Sequence, residues 1–381
     1  MFYFLKLDST TLHQRSPAIL FLLFFVFAGN FMLQAQQTNV VDFLRIEASI
    51  GTKADEKKVE GKFLTAFKVL KETDSIFMDA VNIQINDIKT ANFKITSDEK
   101  KVWFVGNFEV GTTYKADFYY EMKPKQTLYF FGDEIWTQGQ GKYTSHWLPS
   151  IDDVNDKIEF DLQLLAPIDK VVIANGKLID YGNLHEVNTW RFNMKNPMSS
   201  YLVAFAIGDF NKRELVSNSG IPIELYFTPK DSLKVEPTYR YSKEIFDFLE
   251  TEIGVPYPWQ NYKQVPVRDF LYAGMENTTL TIFSQAFVVD STGFNDRNYV
   301  NVNAHELAHQ WFGNLVTEKA GEDHWLQEGF ATYYALLAEK EIFGDDYYYW
   351  QLYQTAEQLK AMSDEGQGES LLNPKASSLT F

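Results

Sequence analysis

Five consecutive residues, His305-Glu306-Leu307-Ala308-His309, concentrate the chemistry that this 381-residue chain can carry. On a helix, residues four apart share one face, so the two imidazoles can converge on one zinc ion while Glu306 beside them acts as a base toward water. The flanking Val302, Ala304, Leu307, Ala308, Trp311 and Phe312 predict a buried helix. The chain has only six histidines, His13, His146, His185, His305, His309 and His324, and so few seldom produce the pattern by accident.

A third ligand is expected from Glu328, separated from His309 by eighteen intervening residues, in the apolar helical segment Trp325 to Thr332. A lone carboxylate on such a helix is costly to bury unless something pairs with it, and a metal would do so. Two neutral imidazoles and one carboxylate leave a zinc site with a net single positive charge and an open fourth position, as in hydrolytic rather than structural zinc. His324, four residues before Glu328, is a competing ligand. The blander expectation is that it is partly exposed or supports the site from a turn away.

Composition narrows the alternatives. With no cysteine, thiol catalysis, iron–sulfur clusters and cysteine-ligated zinc are excluded, leaving His, Asp and Glu as strong ligands. A formal charge of −16 argues against nucleic acid and anionic lipid as partners. Lys6 and Arg15 precede or flank the start of an apolar run, Ala18 to Phe27, and Ala35 offers a small residue for cleavage. This reads as an export signal over residues 1–35, and the run falls short of the ~20 residues needed to span a bilayer. The mature chain is therefore expected to be exported, periplasmic or secreted, without stable membrane insertion.

The elements that must position the site come in two kinds. From about residue 40 to 225 the hydrophobic period is two, most cleanly in Lys157-Ile158-Glu159-Phe160-Asp161-Leu162-Gln163-Leu164. Asn175-Gly176, between Val171-Val172-Ile173 and Leu178-Ile179, predicts a two-residue hairpin. Later the period becomes helical: Tyr241, Ile245, Phe248 and Leu249 share a face, and Gly254 is placed to end that helix. The expected domains are a β-rich one over 36–228 and a helix-rich one over 229–381.

Upstream of the predicted zinc helix stands Tyr272-Ala273-Gly274-Met275-Glu276-Asn277. GxMEN followed by HExxH-x18-E resembles the signature of the aminopeptidase N and leukotriene-A hydrolase family of zinc gluzincins. Gly254-Val255-Pro256-Tyr257-Pro258-Trp259, His309-Gln310-Trp311-Phe312-Gly313-Asn314, Trp325-Leu326-Gln327-Glu328-Gly329-Phe330-Ala331 and Pro197-Met198-Ser199-Ser200-Tyr201-Leu202-Val203-Ala204-Phe205 look like family blocks too. The likeness runs from about residue 40 to the end. It departs at Trp147-Leu148-Pro149-Ser150-Ile151-Asp152-Asp153-Val154, where Ser150 and Val154 replace the usual Cys and Pro.

The resemblance implies an α+β multidomain fold: a saddle-like antiparallel β domain followed by a thermolysin-like, helix-rich zinc peptidase domain. It implies an aminopeptidase with one zinc ion on His305, His309 and Glu328, Glu306 as general base, and peptides with a free N-terminus as substrates. A free α-amine is largely protonated at neutral pH, so a fixed carboxylate beside the metal can select a chain end over an internal amide. The resemblance gives this role to Glu276, makes Gly274 and Met275 a backbone edge along the substrate, and assigns Gln140 a contact to the first substrate residue. Family members also use a tyrosine on the tetrahedral oxyanion. Ser377-Ser378-Leu379-Thr380-Phe381 resembles the lead-in to it, so the chain is expected to end inside its second domain. Tyr333 and Tyr334 stand too near Glu328 to match and are expected to pack. The rivals are a zinc endopeptidase, which would not need Glu276, and a non-catalytic zinc module.

Overall fold

A computed structural model of the protein describes residues 37–140, 143–319 and 323–366. The expected export signal and the 377–381 segment lie outside these residues.

The first half is built from strands. Its largest sheet runs, edge to edge, Lys177–Leu184, Val187–Asn193, Lys157–Pro167, Val41–Lys53, Lys58–Val69, Thr113–Met122 and Gln84–Ile88. Neighbours are antiparallel except Val41–Lys53 on Lys157–Pro167, which is parallel. The alternation in Lys157–Pro167 works as expected: Ile158, Phe160, Leu162 and Leu164 are buried. A three-stranded sheet (Thr73–Asp79, Lys101–Phe108, Lys94–Ser97) closes over the large one through aromatics, with Phe67 stacked on Phe104 at 5.4 Å.

Asn175-Gly176 is not a hairpin turn. Val171–Ala174 pairs with Phe205–Gly208 in a four-stranded sheet, whereas Lys177–Leu184 pairs with Val187–Asn193 in the large one. The dipeptide is where the chain crosses between sheets. Gly176 takes φ +75°, and a Cβ there would run into the Asn193 carbonyl. The buried Asn175 side chain donates to the carbonyls of Leu202 (3.0 Å) and Thr278 (2.6 Å) and accepts from the Ala204 N–H (2.6 Å). A local turn signal has thus been recruited to fix the crossing and to touch the second half.

The sheet of the second half has the order Asn211–Val216, Pro222–Phe227, Tyr262–Val267, Leu280–Ser284, Gly274–Met275. Its first two strands precede residue 228, so the hydrogen-bonded sheet changes earlier in the chain than the switch from strand to helix. Five α-helices occur among the described residues: α1 (Val235–Tyr239), α2 (Ser242–Ile253), α3 (Val300–Ala308), α4 (Trp325–Phe343) and α5 (Asp345–Asp364). α2 buries Ile245, Phe246 and Leu249 and ends at Gly254, which takes φ +72°. α4 turns Ala331, Ala335 and Ala338 inward, and these small side chains let it lie close against α3. A β-rich half is thus followed by a helix-rich one. No helix among the described residues is long and apolar enough to cross a membrane.

Candidate active site

The two histidines reach the site on adjacent turns. α3 starts where Asn298 Oδ1 accepts from the Val300 N–H (3.1 Å), and it buries Ala304, Leu307 and Ala308, which turns His305 and His309 toward α4. Their Nε2 atoms stand 3.0 Å apart. On the far side of the His309 ring, Nδ1 lies 2.9 Å from the Phe312 carbonyl. A carbonyl only accepts, so Nδ1 donates to it, and Nε2 is the nitrogen that faces the site and can ligate a metal by giving up its proton. The chain can turn back to place that carbonyl because Gly313 takes φ +124°.

α4 supplies Glu328, with Oε2 3.4 Å from His305 Nε2 and Oε1 3.7 Å from His309 Nε2. The ligand atoms of His305, His309 and Glu328 all lie within 4.8 Å of one another and can hold a metal ion. Two facing imidazole nitrogens with a carboxylate closing the third side form a donor set that suits zinc. Burial opposes ionisation of Glu328, yet hydrogen bonds from His305, His309 and His324 outweigh it and hold the carboxyl well below its usual range. Burial likewise works against protonating His309, but Glu276, Glu328 and Glu306 prevail and raise it to about 10.

Glu306 projects beside the cluster from a buried position. Burial chiefly, with Glu276 and Glu328 adding repulsion, raises its carboxyl well above the ordinary range. Gly274 lies against it: an added Cβ would meet Glu306 Oε1. Gly274–Met275 is the outermost strand of its sheet, pairing with Phe283 and Ile282 on one side only. An extended peptide could therefore hydrogen-bond to its other edge.

Glu276 is 3% exposed, and among the described residues its Oε1 has no hydrogen-bond partner. Its backbone is clamped: the Glu276 carbonyl accepts from Gln310 Nε2 (3.1 Å) and Asn314 Nδ2 (2.7 Å), while Gln310 Oε1 accepts from the Thr279 N–H (2.9 Å). The amides after α3 thus fix where Glu276 sits without consuming its carboxylate. That role for Gln310 and Asn314, both fully buried, is not readable from spacing.

The β-rich half reaches the same place. Gln140 lies next to Gln138, whose Nε2 is 3.5 Å from Gln140 Oε1 and 4.0 Å from Met275 Sδ. Gln138 is the residue sequence reasoning missed; Trp136-Thr137-Gln138-Gly139-Gln140 offered two amides, and the buried one touches Met275. Lys157 Nζ donates to the carbonyls of Asn314 (3.0 Å) and Leu315 (2.7 Å), tying the large sheet to the loop after α3. The segment with the unusual Ser150 and Val154 is held by a two-way backbone bridge between Ser150 and Asp79, and by the Ser199 hydroxyl on the Val154 carbonyl.

Three neighbours of Glu328 meet expectation in part. His324 is buried rather than partly exposed, and it stands in the supporting place one turn before Glu328, with Nε2 3.3 Å from Glu328 Oε1, because residues four apart on a helix are neighbours. Tyr334 does pack, stacked on Phe312 at 5.1 Å, but Tyr333 is half exposed.

Comparison with known proteins accords with this geometry. Residues 42–202 match the Peptidase M1 N-terminal domain and residues 238–373 the Peptidase family M1 domain. Among curated relatives, glutamyl aminopeptidase of Rattus norvegicus is 31% identical over 211 residues, 54% of this chain and 22% of that protein. Aminopeptidase 2 of Candida albicans is 28% identical over 343 residues, 87% of this chain and 34% of that protein. The chain spans only about a fifth to a third of the length of these relatives. With one family domain matched in each half, and the His–His–Glu cluster inside the second, the chain belongs to the M1 family of peptidases.

Proposed function

We propose that the protein is an exported zinc aminopeptidase that hydrolyses the first peptide bond of peptides with a free N-terminus, releasing single amino acids. The observation that carries this reading is Glu276, a buried carboxylate beside the candidate metal cluster with one oxygen unpartnered among the described residues. Such a group is costly to bury unless a cation joins it, and the substrate α-ammonium is that cation.

His305, His309 and Glu328 would hold one zinc ion, which when bound supplies Lewis acidity to the scissile carbonyl and acidifies a water. Glu306, its proton affinity raised by burial, takes a proton from the attacking water and delivers it to the leaving amine. Gly274 and Met275 carry the substrate as an added strand, which aims its first residue at Glu276. Gln140 faces that residue from the β-rich half, with Gln138 between it and Met275. The names of the relatives, glutamyl aminopeptidase and aminopeptidase 2, point the same way. Export rests on the residue 1–35 pattern alone.

The test is product analysis of a peptide of about ten residues incubated with the zinc-loaded protein. Mass spectrometry should show successive loss of single N-terminal residues. Cleavage at internal bonds would instead favour an endopeptidase.

A further inference from the structure

Glu328 has a partner beyond the two metal-facing histidines. His324 Nε2 lies 3.3 Å from Glu328 Oε1, and His324 Nδ1 lies 3.1 Å from Glu318 Oε1. The Glu318 and His324 side chains are both only 3% exposed, whereas Glu328 is 31% exposed. The buried pair is therefore the fixed part of the arrangement, and Glu328 is the part that needs fixing. Both ring nitrogens face carboxylate oxygens, which only accept, so the ring satisfies both by donating from both. Glu318 itself sits in the loop that follows α3, a separate element from α4, so the contact also ties that loop to the third ligand.

We propose that Glu318 and His324 form a positioning relay for the third zinc ligand: Glu318 orients the His324 ring, and His324 holds Glu328 Oε1. Oε1, which also lies 3.7 Å from His309 Nε2, is thereby engaged, and Oε2, 3.4 Å from His305 Nε2, is the oxygen left to ligate. A donor on one oxygen restricts the carboxylate to one-oxygen ligation and removes the rotamer freedom that metal binding would otherwise have to quench. His324 is thus outside the ligand set and acts through Glu328. The inference rests on the metal reading of His305, His309 and Glu328.

The experiment measures zinc affinity by competition with a chromophoric chelator in the parent protein and in Glu318→Gln, His324→Leu, Glu318→Gln/His324→Leu and Glu328→Gln, with the visible spectrum of each cobalt-substituted protein. Melting of the metal-free forms reports folding. Glu318→Gln is nearly isosteric and carries the test if His324→Leu fails to fold. The relay predicts that Glu318→Gln and His324→Leu each bind zinc roughly 10–100-fold more weakly and shift the cobalt spectrum, with Glu318→Gln melting like the parent when metal-free. The double variant should be no weaker than His324→Leu, because Glu318 acts through that ring. Parent-like affinity and spectra in Glu318→Gln and His324→Leu would overturn the relay while leaving the metal site intact. Additive losses would also overturn it. A parent protein that binds zinc no better than Glu328→Gln would remove the metal reading, and the relay with it.

Discussion

Gly274 lies directly against Glu306: a Cβ on Gly274 would stand 2.5 Å from Glu306 Oε1 and 2.7 Å from its Cδ. The strand edge proposed to carry substrate and the proposed general base are thus in van der Waals register, and only a glycine leaves room. Gly274→Ala must push Glu306 aside. A misplacement of about 1 Å can cost on the order of 10²-fold in rate, so kcat should fall by about that factor while zinc content, measured by elemental analysis, stays at one per chain. Loss of zinc would show that the variant damages the metal site instead.

Glu306 and the ligands should separate cleanly. Glu306→Gln keeps shape but cannot accept the proton, so it should bind zinc like the parent and lose roughly 10²–10⁴-fold in turnover. His309→Ala should lose the metal itself. Parallel zinc and activity measurements check both expectations, and near-normal turnover in Glu306→Gln would deny it the role of base.

Asp156 provides a pH test of the fold. It is 6% exposed with Oδ2 unpartnered among the described residues. Burial first, then Asp42 and Asp153, raise its carboxyl from 3.8 to about 8. The folded state therefore holds this proton more tightly than the unfolded one, and the contribution, full below about pH 4, is lost as pH rises through about 8. Asp156→Asn should melt higher than the parent, with a gap that widens between pH 5 and pH 8 and then levels off. A constant gap would mean that Asp156 ionises normally.

The two halves are clasped next to the substrate segment. Asn175 donates to the Thr278 carbonyl, and Lys263 Nζ donates to the carbonyls of Ala174 (2.8 Å) and Gly176. Asn175→Ala strands several buried groups, each worth about 1–3 kcal/mol when left unpaired. The melting temperature should fall by several degrees, and KM should rise more than kcat falls, because Thr278 lies two residues from Glu276. An unchanged melting curve would show that water replaces the side chain.

The metal cluster was legible because helical spacing alone brings His305 and His309 together, and the family pattern extends the set to Glu328. The Lys157–Pro167 alternation and the helix stop at Gly254 were legible for the same reason, since period and φ preference are local properties. Asn175-Gly176 misled because its bonds go to Leu202, Thr278 and Ala204, distant in sequence and invisible to a two-residue rule. His324 and Gln138 were underestimated because burial and contact depend on how α4 and the 136–140 segment pack. Gln310 and Asn314 act through backbone atoms of Glu276, which no residue pattern announces.

The central claim is that Glu276 reads a free α-amine. It is tested most directly by comparing kcat/KM for an aminoacyl anilide with that for its N-acetylated form, in the zinc-loaded parent and in Glu276→Ala. Leaving a buried carboxylate unpaired costs about 2–5 kcal/mol, so the parent should prefer the free amine by at least ~30-fold. Glu276→Ala should lose most of that preference by losing activity on the free-amine substrate. Equal rates on both substrates in the parent would contradict the account.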